Sequence, residues 1–398
     1  MFYNDKKIKK SDFFNSKLSN NPNILKYSKV IFTIALFMII LRKYMTALIS
    51  APSTQIVLIQ SALFYVSIGL LGVLFLMDGN KKRIEILLLV FCVALYLLNR
   101  NGTMLVFVLL ASGIKNISDN YVVKNYLIIS TFLLCVFVLV FNLFPELQSA
   151  SLVAYRFSTS SFATRLDFKL GNPNSAYFFM LPILCSYIFL RFKDYNVFDR
   201  VLIIVLTIFI YSVTASRTGF YTIVAGLILL EVIRYINIKD NVFLPILAKI
   251  APILISLISI FMGMKFYNNT QMNNLLSSRP KYWHVYLAEA GNFLKPFGNA
   301  FGDAIKAANP LDNSYIYLVS VLGLVTFVLF LALMYVGIDI LIKSDNKVLL
   351  AIVFIFLIYG FAENIIFESG LNFTLVLLLK VVINNNKNEI NIYKIFAR

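Results

Sequence analysis

Residues 55–77 read QIVLIQSALFYVSIGLLGVLFLM, an apolar run without charges, and residues 78–83 continue as DGNKKR. An α-helix rises about 1.5 Å per residue, and a bilayer core of roughly 30 Å needs roughly 17 to 25 apolar residues. Lys and Arg directly after such a run are typical of its cytoplasmic end. This stretch therefore predicts a transmembrane helix that ends on the cytoplasmic side.

The same pattern recurs along the chain. Apolar residues make up 60% of the sequence and charged residues 14%, against roughly 25% charged in a soluble domain. We predict an all-α integral membrane protein, a polytopic bundle of about 12 transmembrane helices (roughly 11 to 13) with a large extracytoplasmic loop containing short helices. The expected spans are residues 24–41, 55–77, 84–99, 102–117, 125–144, 175–191, 200–215, 218–235, 243–264, 313–341, 347–363 and 370–386.

The basic residues orient these helices. Lys and Arg number 36 and Asp and Glu 19, a net charge of +17. They punctuate apolar runs instead of clustering on a polar face, which excludes a nucleic-acid-binding protein. With the N-terminus inside, alternating spans leave about twice as many Lys and Arg inside as outside. We expect cytoplasmic tails at 1–23 and 387–398, one transmembrane domain at 24–386 in the cytoplasmic membrane, and external loops at 145–174 and 265–312.

The sequence carries no cofactor motif. Cys92, Cys135 and Cys185 lie inside apolar runs, where they form neither a disulfide framework nor a metal cluster. The chain lacks a P-loop, a GxSxG elbow, an HExxH motif and a close pair of aspartates for a divalent ion. We therefore expect no metal and no cofactor. Transfer from an activated, phosphate-linked donor needs only anion stabilisation and a base.

The arginines depart from the charge pattern. Most lysines fall on the predicted inner side, but more than half of the arginines fall outside. A guanidinium binds phosphate oxygens bidentately and stays charged at low dielectric, so external arginines favour a large anionic ligand. The alternative is that they reach lipid headgroups or cap helix ends. The external arginines are Arg42, Arg100, Arg156, Arg165, Arg217 and Arg279.

Two candidate sites precede apolar spans. Asn172 and Asn174 follow Arg165 and stand directly before a span. Either asparagine can cap that helix while free backbone N–H groups favour an anion, so this turn predicts a phosphate-binding position, although a simple cap is the alternative. Arg217 lies between two spans. An arginine there needs a carboxylate or a ligand as its partner.

The larger external loop contains a predicted interfacial helix. Arg279 and Trp283 stand four residues apart, which places them on one helical face. The alternative for the aromatic residues of this segment is anchoring at the membrane interface. His284, the only histidine, can serve as a base but lies beside that face.

Three acidic residues complete the candidates. Asp312 precedes an apolar helix, where it can cap the helix or accept a proton from an acceptor hydroxyl. Glu363 and Glu368 stand in the last external turn. Because acids near a membrane interior need partners, pairing with an external arginine is the alternative for both glutamates.

Taken in order, these motifs resemble the O-antigen ligase and polymerase superfamily. The resemblance covers roughly residues 150–330, and it rests on the order and spacing of motifs that are individually weak. They are Gly171-Asn172-Pro173-Asn174, Ser216-Arg217-Thr218-Gly219, Ser278-Arg279 with Trp283, Gly298 and Gly302, and Asp312-Asn313-Ser314-Tyr315 followed by Gly323.

The resemblance implies a membrane enzyme that joins glycans carried on undecaprenyl diphosphate, at the outer face of the cytoplasmic membrane, without a metal or nucleotide. It implies that Arg165, Arg217 and Arg279 hold the diphosphate. The substrate-binding residues expected with Arg165 are Asn172, Asn174, Trp283, Asn313 and Tyr315. It also implies a flippase and a chain-length regulator as possible partners in the pathway.

One departure from the family bears on function. Ligase members carry a His-Asn pair where this chain has Asp312-Asn313, which favours a capsular or exopolysaccharide repeat-unit polymerase. We expect Asp312, Arg217 and Arg279 to be catalytic, with the base open among Asp312, Glu363 and Glu368. The alternatives are a ligase that moves finished glycan to another carrier and, from a different class, a flippase or transporter of lipid-linked oligosaccharides.

Overall fold

The computed structural model describes residues 22–49, 52–79, 81–144, 153–156, 161–236, 238–289 and 295–385. Nearly all of the two predicted cytoplasmic tails therefore lies outside the described residues.

The described chain is helical except for one hairpin. Asparagine side chains cap several helices, among them Asn196 at the start of α7 and Asn346 at the start of α15, because a short amide accepts bonds from free N–H groups in the first turn. The helices are α1 (Pro22–Leu48), α2 (Thr54–Met77), α3 (Arg83–Asn99), α4 (Thr103–Gly113), α5 (Asp119–Leu143), α6 (Pro173–Arg191), α7 (Val197–Thr214), α8 (Arg217–Tyr235), α9 (Phe243–Lys265), α10 (Thr270–Leu275), α11 (Arg279–His284), α12 (Asp303–Ala308), α13 (Ser314–Tyr317), α14 (Leu324–Lys343), α15 (Lys347–Gly360) and α16 (Phe373–Asn384).

One short hairpin interrupts the otherwise helical chain. Strands β1 (Val153–Arg156) and β2 (Ser161–Thr164) pair antiparallel within the loop predicted at 145–174, with Val153 opposite Thr164. The loop predicted at 265–312 contains α10, α11 and α12, together with a π-helical turn at Val285–Glu289.

Among the described residues, eight helices are long and apolar enough to cross a membrane: α1, α2, α5, α6, α7, α8, α9 and α14. Twelve full-length spans are not confirmed. The segments predicted at 84–99, 102–117, 347–363 and 370–386 are helical, but their helices have 17, 11, 14 and 12 residues. The segment predicted at 313–341 is divided at Gly323 into α13, a π-helical turn and α14.

The short helices form the centre of the bundle. Almost every residue of α4, α15 and α16 is buried, as expected for helices that are apolar on all sides. Helix α15 packs against α8, and α16 packs against α4 and α14. The bundle core therefore includes helices too short to match a bilayer by themselves, packed among longer ones.

The outer helices expose apolar side chains. Leu58 of α2, Leu87 of α3 and Phe198 of α7 are 70%, 69% and 71% exposed. Soluble monomers rarely expose apolar surface of this extent. These faces of the bundle are suited to contact with lipid.

Several ion pairs lie near the helix ends that the sequence predicts on the cytoplasmic side. Lys115 pairs with Glu85 at 2.9 Å, and Lys380 pairs with Asp119 at 2.6 Å. Lys249 of α9 pairs with Asp339 of α14 at 3.2 Å. Pairing of this kind reduces the cost of charges close to the apolar bundle.

Candidate active site

Arg279, the first residue of α11, lies between two carboxylates. Its Nη2 donates to Glu363 Oε1 at 3.0 Å and lies 3.7 Å from Asp312 Oδ2. The side chains of Arg279 and Glu363 are each 9% exposed, whereas that of Asp312 is 38% exposed. Because buried charges require partners, these three residues form one electrostatic unit, the acidic cluster, with one accessible carboxylate.

Local backbone geometry places Arg279 in this cluster. Ser277 and Ser278 adopt left-handed conformations with φ of 55° and 62°, which non-glycine residues seldom do, and they turn the chain into α11. One helical turn later, Trp283 is fully buried with its ring edge-on to Phe361 at 5.5 Å. This contact holds α11 against the turn that carries the glutamate of the cluster.

Asn313 links the start of α13 to the same turn. Its Oδ1 accepts from the backbone N–H groups of Tyr315 and Ile316, and so caps the helix. Its Nδ2 donates to the carbonyl oxygen of Phe361 at 2.7 Å and to Ser259 Oγ at 3.2 Å. A fully bonded buried amide of this kind fixes one arrangement of the segments around it.

Ser314 makes a second link between the two segments. Its Oγ donates to the carbonyl oxygen of Glu363 at 3.0 Å and accepts from the N–H groups of Ile365 and Ile366. Since Asp312 lies two residues before Ser314, its carboxylate and that of Glu363 are held in a defined relation to each other.

Burial changes the acidity of both carboxyls. Desolvation and, to a lesser extent, the negative neighbour Asp312 raise the pKa of Glu363, Arg279 opposes them, and the net result is a pKa of about 8. Desolvation also raises the pKa of Asp312, against the attraction of Arg279, because surrounding protein displaces water from the carboxyl even though part of its side chain is accessible. With one cation beside two carboxyls, the cluster retains a proton near neutral pH.

The acidic cluster opens into a cavity of about 250 Å³, the smaller cavity, lined by Asp312 and Glu363. Asn172, which caps α6 by accepting from the N–H of Asn174, lines it too, as does Asn174. The other lining residues are Lys43, Ala47, Ser175, Phe178, Phe179, Asn364 and Glu368. The structure therefore brings the predicted asparagines and all three predicted acids to one cavity.

Asn174 connects this cavity to two other predicted motifs. Its Oδ1 accepts from Arg165 Nη2 at 3.3 Å and from Ser216 Oγ at 2.9 Å. Arg165 Nε also donates to the carbonyl oxygen of Thr214 at 2.8 Å. Arg217 directly follows Ser216 as the first residue of α8, so both arginines belong to segments that adjoin the cavity wall.

Three predicted substrate-binding residues lie in the protein interior. Trp283, Asn313 and Tyr315 are completely buried, and none of them lines either of the two cavities described here. The hydroxyl of Tyr315 donates to the carbonyl oxygen of Leu357 at 2.8 Å. In this structure these side chains position the acidic cluster. Their predicted direct contact with substrate is not supported by their buried location.

His284 is also separate from the cavities. Its ring stacks on Tyr267 with centroids 3.6 Å apart, and its Nδ1 lies 3.1 Å from the carbonyl oxygen of Gly263. It is absent from the lining of both cavities. This position gives no support to the predicted role as a base.

Sequence reasoning missed a second, larger cavity of about 940 Å³. The external arginines of the sequence indicated this cavity, because Arg42 and Arg100 both line it. Asn364 and Glu368 line both cavities, so the two are adjacent. The other lining residues include Phe64, Tyr65, Tyr96, Asn99, Asn101, Tyr286, Asn299, Phe301, Lys306, Tyr317 and Phe367.

Two glycines of the predicted motifs shape the wall of this larger cavity. Gly298 and Gly323 have φ of 82° and 92°, a region that favours glycine. A Cβ on Gly323 would lie 2.2 Å from the backbone nitrogen of Gly298. This close approach lets Asn299 donate its backbone N–H to the carbonyl oxygen of Ser320 at 2.9 Å, which pins the loop bearing Asn299 to the bundle.

The chain matches no family model, no curated protein and no solved structure. Its class follows from the fold and the site: a helical protein with eight candidate membrane spans among its described residues and a buried arginine–carboxylate cluster at the mouth of a cavity. The family resemblance of its motifs stays a prediction.

Proposed function

We propose that this protein is a polysaccharide polymerase that transfers glycan between undecaprenyl-diphosphate-linked repeat units at the outer face of the cytoplasmic membrane. The observation that carries the proposal is the cluster of Arg279, Asp312 and Glu363 beside Asn172 and Asn174. Motif residues from three distant segments meet at one cavity, as a shared catalytic site requires.

The proposal includes the predicted topology of about 12 spans with both termini cytoplasmic. Most residues that line the two cavities belong to helix ends or loops predicted outside, including Arg42, Asn101, Asp312 and Glu368, while Phe64 and Tyr65 lie deeper in α2. The ion pairs of α4 with α3 and of α16 with α5 lie in segments predicted inside. The separation of the cavities from these ion pairs supports an active site on the external side alone.

In the proposed reaction, an acceptor sugar hydroxyl attacks the anomeric carbon of the donor glycan. The bond from that carbon to the lipid diphosphate breaks, and the diphosphate leaves with the electron pair. The hydroxyl proton passes to Asp312, the more accessible carboxylate of the cluster. Its raised pKa makes it a stronger base than a solvated aspartate. Glu363 keeps a proton at neutral pH, so Arg279 balances Asp312 and orients it.

The diphosphate needs cationic partners near the same cavity. We assign this role to Arg217 and Arg165, whose segments meet at Asn174, and to Lys43, which lines the cavity and pairs with Glu368 at 2.7 Å. Guanidinium groups suit phosphate oxygens because their donors match them bidentately. In this scheme Arg279 contributes to charge stabilisation from within the acidic cluster.

The proposal is tested with purified protein in liposomes that contain lipid-linked oligosaccharides extracted from cells lacking this chain. Gel separation of the products should show a ladder of polymer lengths. Asp312→Asn should lower the elongation rate by about 100-fold or more, the scale of general-base contributions. Asp339→Asn is the matched control, because Asp339 pairs with Lys249 away from both cavities.

The product pattern separates the alternatives. A ligase would move glycan to a new carrier without lengthening it, and a transporter would move lipid-linked glycan across the bilayer without changing its size. Either pattern contradicts the proposal. Full elongation activity in both Arg217→Ala and Arg279→Ala would also contradict it.

A further inference from the structure

The larger cavity has the size and lining of a site for a sizeable polar ligand. Its volume of about 940 Å³ lies near the upper end of the range found for ligand pockets, roughly 300–1,000 Å³. Tyr65, Tyr96 and Tyr317 line the cavity. A tyrosine offers an apolar face and a hydroxyl together, a combination that suits a sugar ring with its C–H faces and hydroxyl edges.

The corner between α3 and α4 is rigidly built at this cavity. Asn101 Nδ2 donates to the hydroxyl of Tyr317 at 2.8 Å, and Asn101 Oδ1 accepts from the N–H of Thr103 at 3.1 Å. Asn99 Oδ1 accepts from the N–H of Asn101 at 2.9 Å. Arg100 occupies the left-handed position that ends α3, with φ of 57°. A preorganised corner of this kind lowers the entropy lost on binding.

The lining has more cationic than anionic groups. Arg42, Arg100 and Lys306 contribute three cations and Glu368 one carboxylate. The carboxylate is already bound to Lys43 of the smaller cavity at 2.7 Å. An excess of positive charge in a concave, partly apolar setting attracts anionic ligands.

Arg42 is held in place within this lining. Its guanidinium carbon lies 4.7 Å from the centre of the Phe64 ring, a distance at which a cation is attracted to the ring face. Its Nε is buried and has no hydrogen-bond partner within the part of the chain that the structure describes. Buried polar atoms normally have a partner, so this guanidinium has donor capacity that the described residues do not use.

The larger cavity adjoins the proposed catalytic site. Asn364 and Glu368 line both cavities, and Asp312 and Glu363 line the smaller one. A chain of sugars in the larger cavity can therefore direct one end toward the acidic cluster.

We propose that the larger cavity binds an acidic oligosaccharide, one that carries carboxylate or phosphate groups, with Arg42 and Arg100 contacting the charges and the tyrosine rings contacting the sugar faces. The identification of this ligand as a substrate rests on the proposed function. The binding site itself does not, because binding is measured without turnover.

The test uses the full-length protein in nanodiscs of phosphatidylcholine, titrated with tetragalacturonate as the acidic probe and with maltotetraose as the neutral probe. We expect the acidic probe to bind at least about tenfold more tightly. Arg42→Gln and Arg100→Gln should each weaken acidic binding by about tenfold or more, as expected for the loss of a hydrogen bond to a charged group. Both should leave the affinity for the neutral probe within about twofold.

Arg83→Gln is the matched control, since Arg83 is an exposed arginine at the opposite end of α3 from Arg100. Equal binding of the two probes overturns the inference, as does absence of acidic binding up to millimolar concentration or unchanged acidic binding in both cavity variants. Displacement of the acidic probe by phosphatidylglycerol in the nanodisc, with no preference for sugars, would identify a lipid headgroup site instead and also overturns it.

The outcome is separable from that of the proposed function. Selective acidic binding by a protein that makes no polymer ladder supports the site and contradicts the polymerase. A polymer ladder from a protein whose acidic binding is insensitive to Arg42 and Arg100 contradicts the site alone.

Discussion

Glu363→Gln is the most informative single change in the acidic cluster. Gln keeps the shape of the side chain and an oxygen that can accept from Arg279, whose Nη2 lies 3.0 Å from Glu363 Oε1. It removes only the ability to ionise. The variant therefore separates two roles for this residue: a carboxyl kept protonated by burial, and an ionised partner that stabilises the fold by pairing with Arg279.

The magnitude follows from the raised pKa of Glu363, about 8 in the folded protein against an ordinary value of 4.5. The folded state holds its proton over a range in which the unfolded chain releases it, so stability is fully present below pH 4.5 and falls as pH rises toward 8. One pKa unit corresponds to about 1.4 kcal/mol. The stability loss is then on the order of 2 kcal/mol at pH 6 and on the order of 5 kcal/mol at pH 8.5.

Glu363→Gln removes this loss. We expect the variant to be more stable than the unmodified protein, with an advantage that grows by about 3 kcal/mol between pH 6 and pH 8.5. Thermal unfolding in detergent can be followed by the fluorescence of Trp283, the only tryptophan, which packs on Phe361. Glu231→Gln is the control: it removes a carboxylate that Arg200 Nε binds at 2.6 Å, and it should lower stability without any gain at high pH.

The opposite outcome would refute this reasoning. If Glu363 is an ionised partner of Arg279 at both pH values, Glu363→Gln breaks a buried ion pair, which typically destabilises by about 3–5 kcal/mol. The unfolding temperature would then fall by a similar amount at pH 6 and at pH 8.5. A fall of that kind would show that the cluster retains no proton near neutral pH.

Three further substitutions, with Gly302→Ala as the control for one of them, test the site and its supports. Arg279→Gln removes the cation from between two carboxylates, and elongation measured on gels should fall by about 100-fold or more. Gly323→Ala places a Cβ 2.2 Å from the backbone nitrogen of Gly298 at a φ of 92°, so it should lower the unfolding temperature and weaken binding of the acidic probe. Gly302→Ala, with nothing within 4 Å of its added Cβ, should do neither. Asn174→Ala removes an oxygen that accepts two hydrogen bonds, and the loss of unfolding free energy should be about 1–3 kcal/mol.

The sequence predicted the helices better than their relation to a membrane. All twelve predicted segments are helical, and the one at 55–77 differs from α2 by one residue. However, apolar length indicates only that a helix avoids water, and it does not distinguish lipid from protein interior. Helices α15 and α16 are apolar because other helices surround them. The division at Gly323 was hidden for the same reason, since the apolar run continues through it.

The sequence predicted which residues belong to the candidate site, but not which of them contact each other. Asp312, Arg279 and Glu363 were all singled out by charge near apolar spans, and pairing of an acid with an external arginine is what the structure finds for Arg279 and Glu363. Which acid meets which arginine depends on contacts 84 residues apart. The larger cavity depends on Asn101 meeting Tyr317 across 216 residues, and local pattern carries no information on such a contact.

The arginines, which form a single class in the sequence, fall into two groups by their acidic neighbours. Arg279 has two carboxylates within 4 Å, so its charge mainly sets the acidity of the cluster. Arg42 and Arg100 line a cavity where the described residues include three cations and one carboxylate, which binds Lys43 and also attracts Arg42, so the cavity keeps an excess of positive charge for a ligand. Since one group governs proton transfer and the other binding, Arg279→Gln should chiefly lower the elongation rate, whereas Arg42→Gln and Arg100→Gln should chiefly raise the substrate concentration needed for half-maximal elongation.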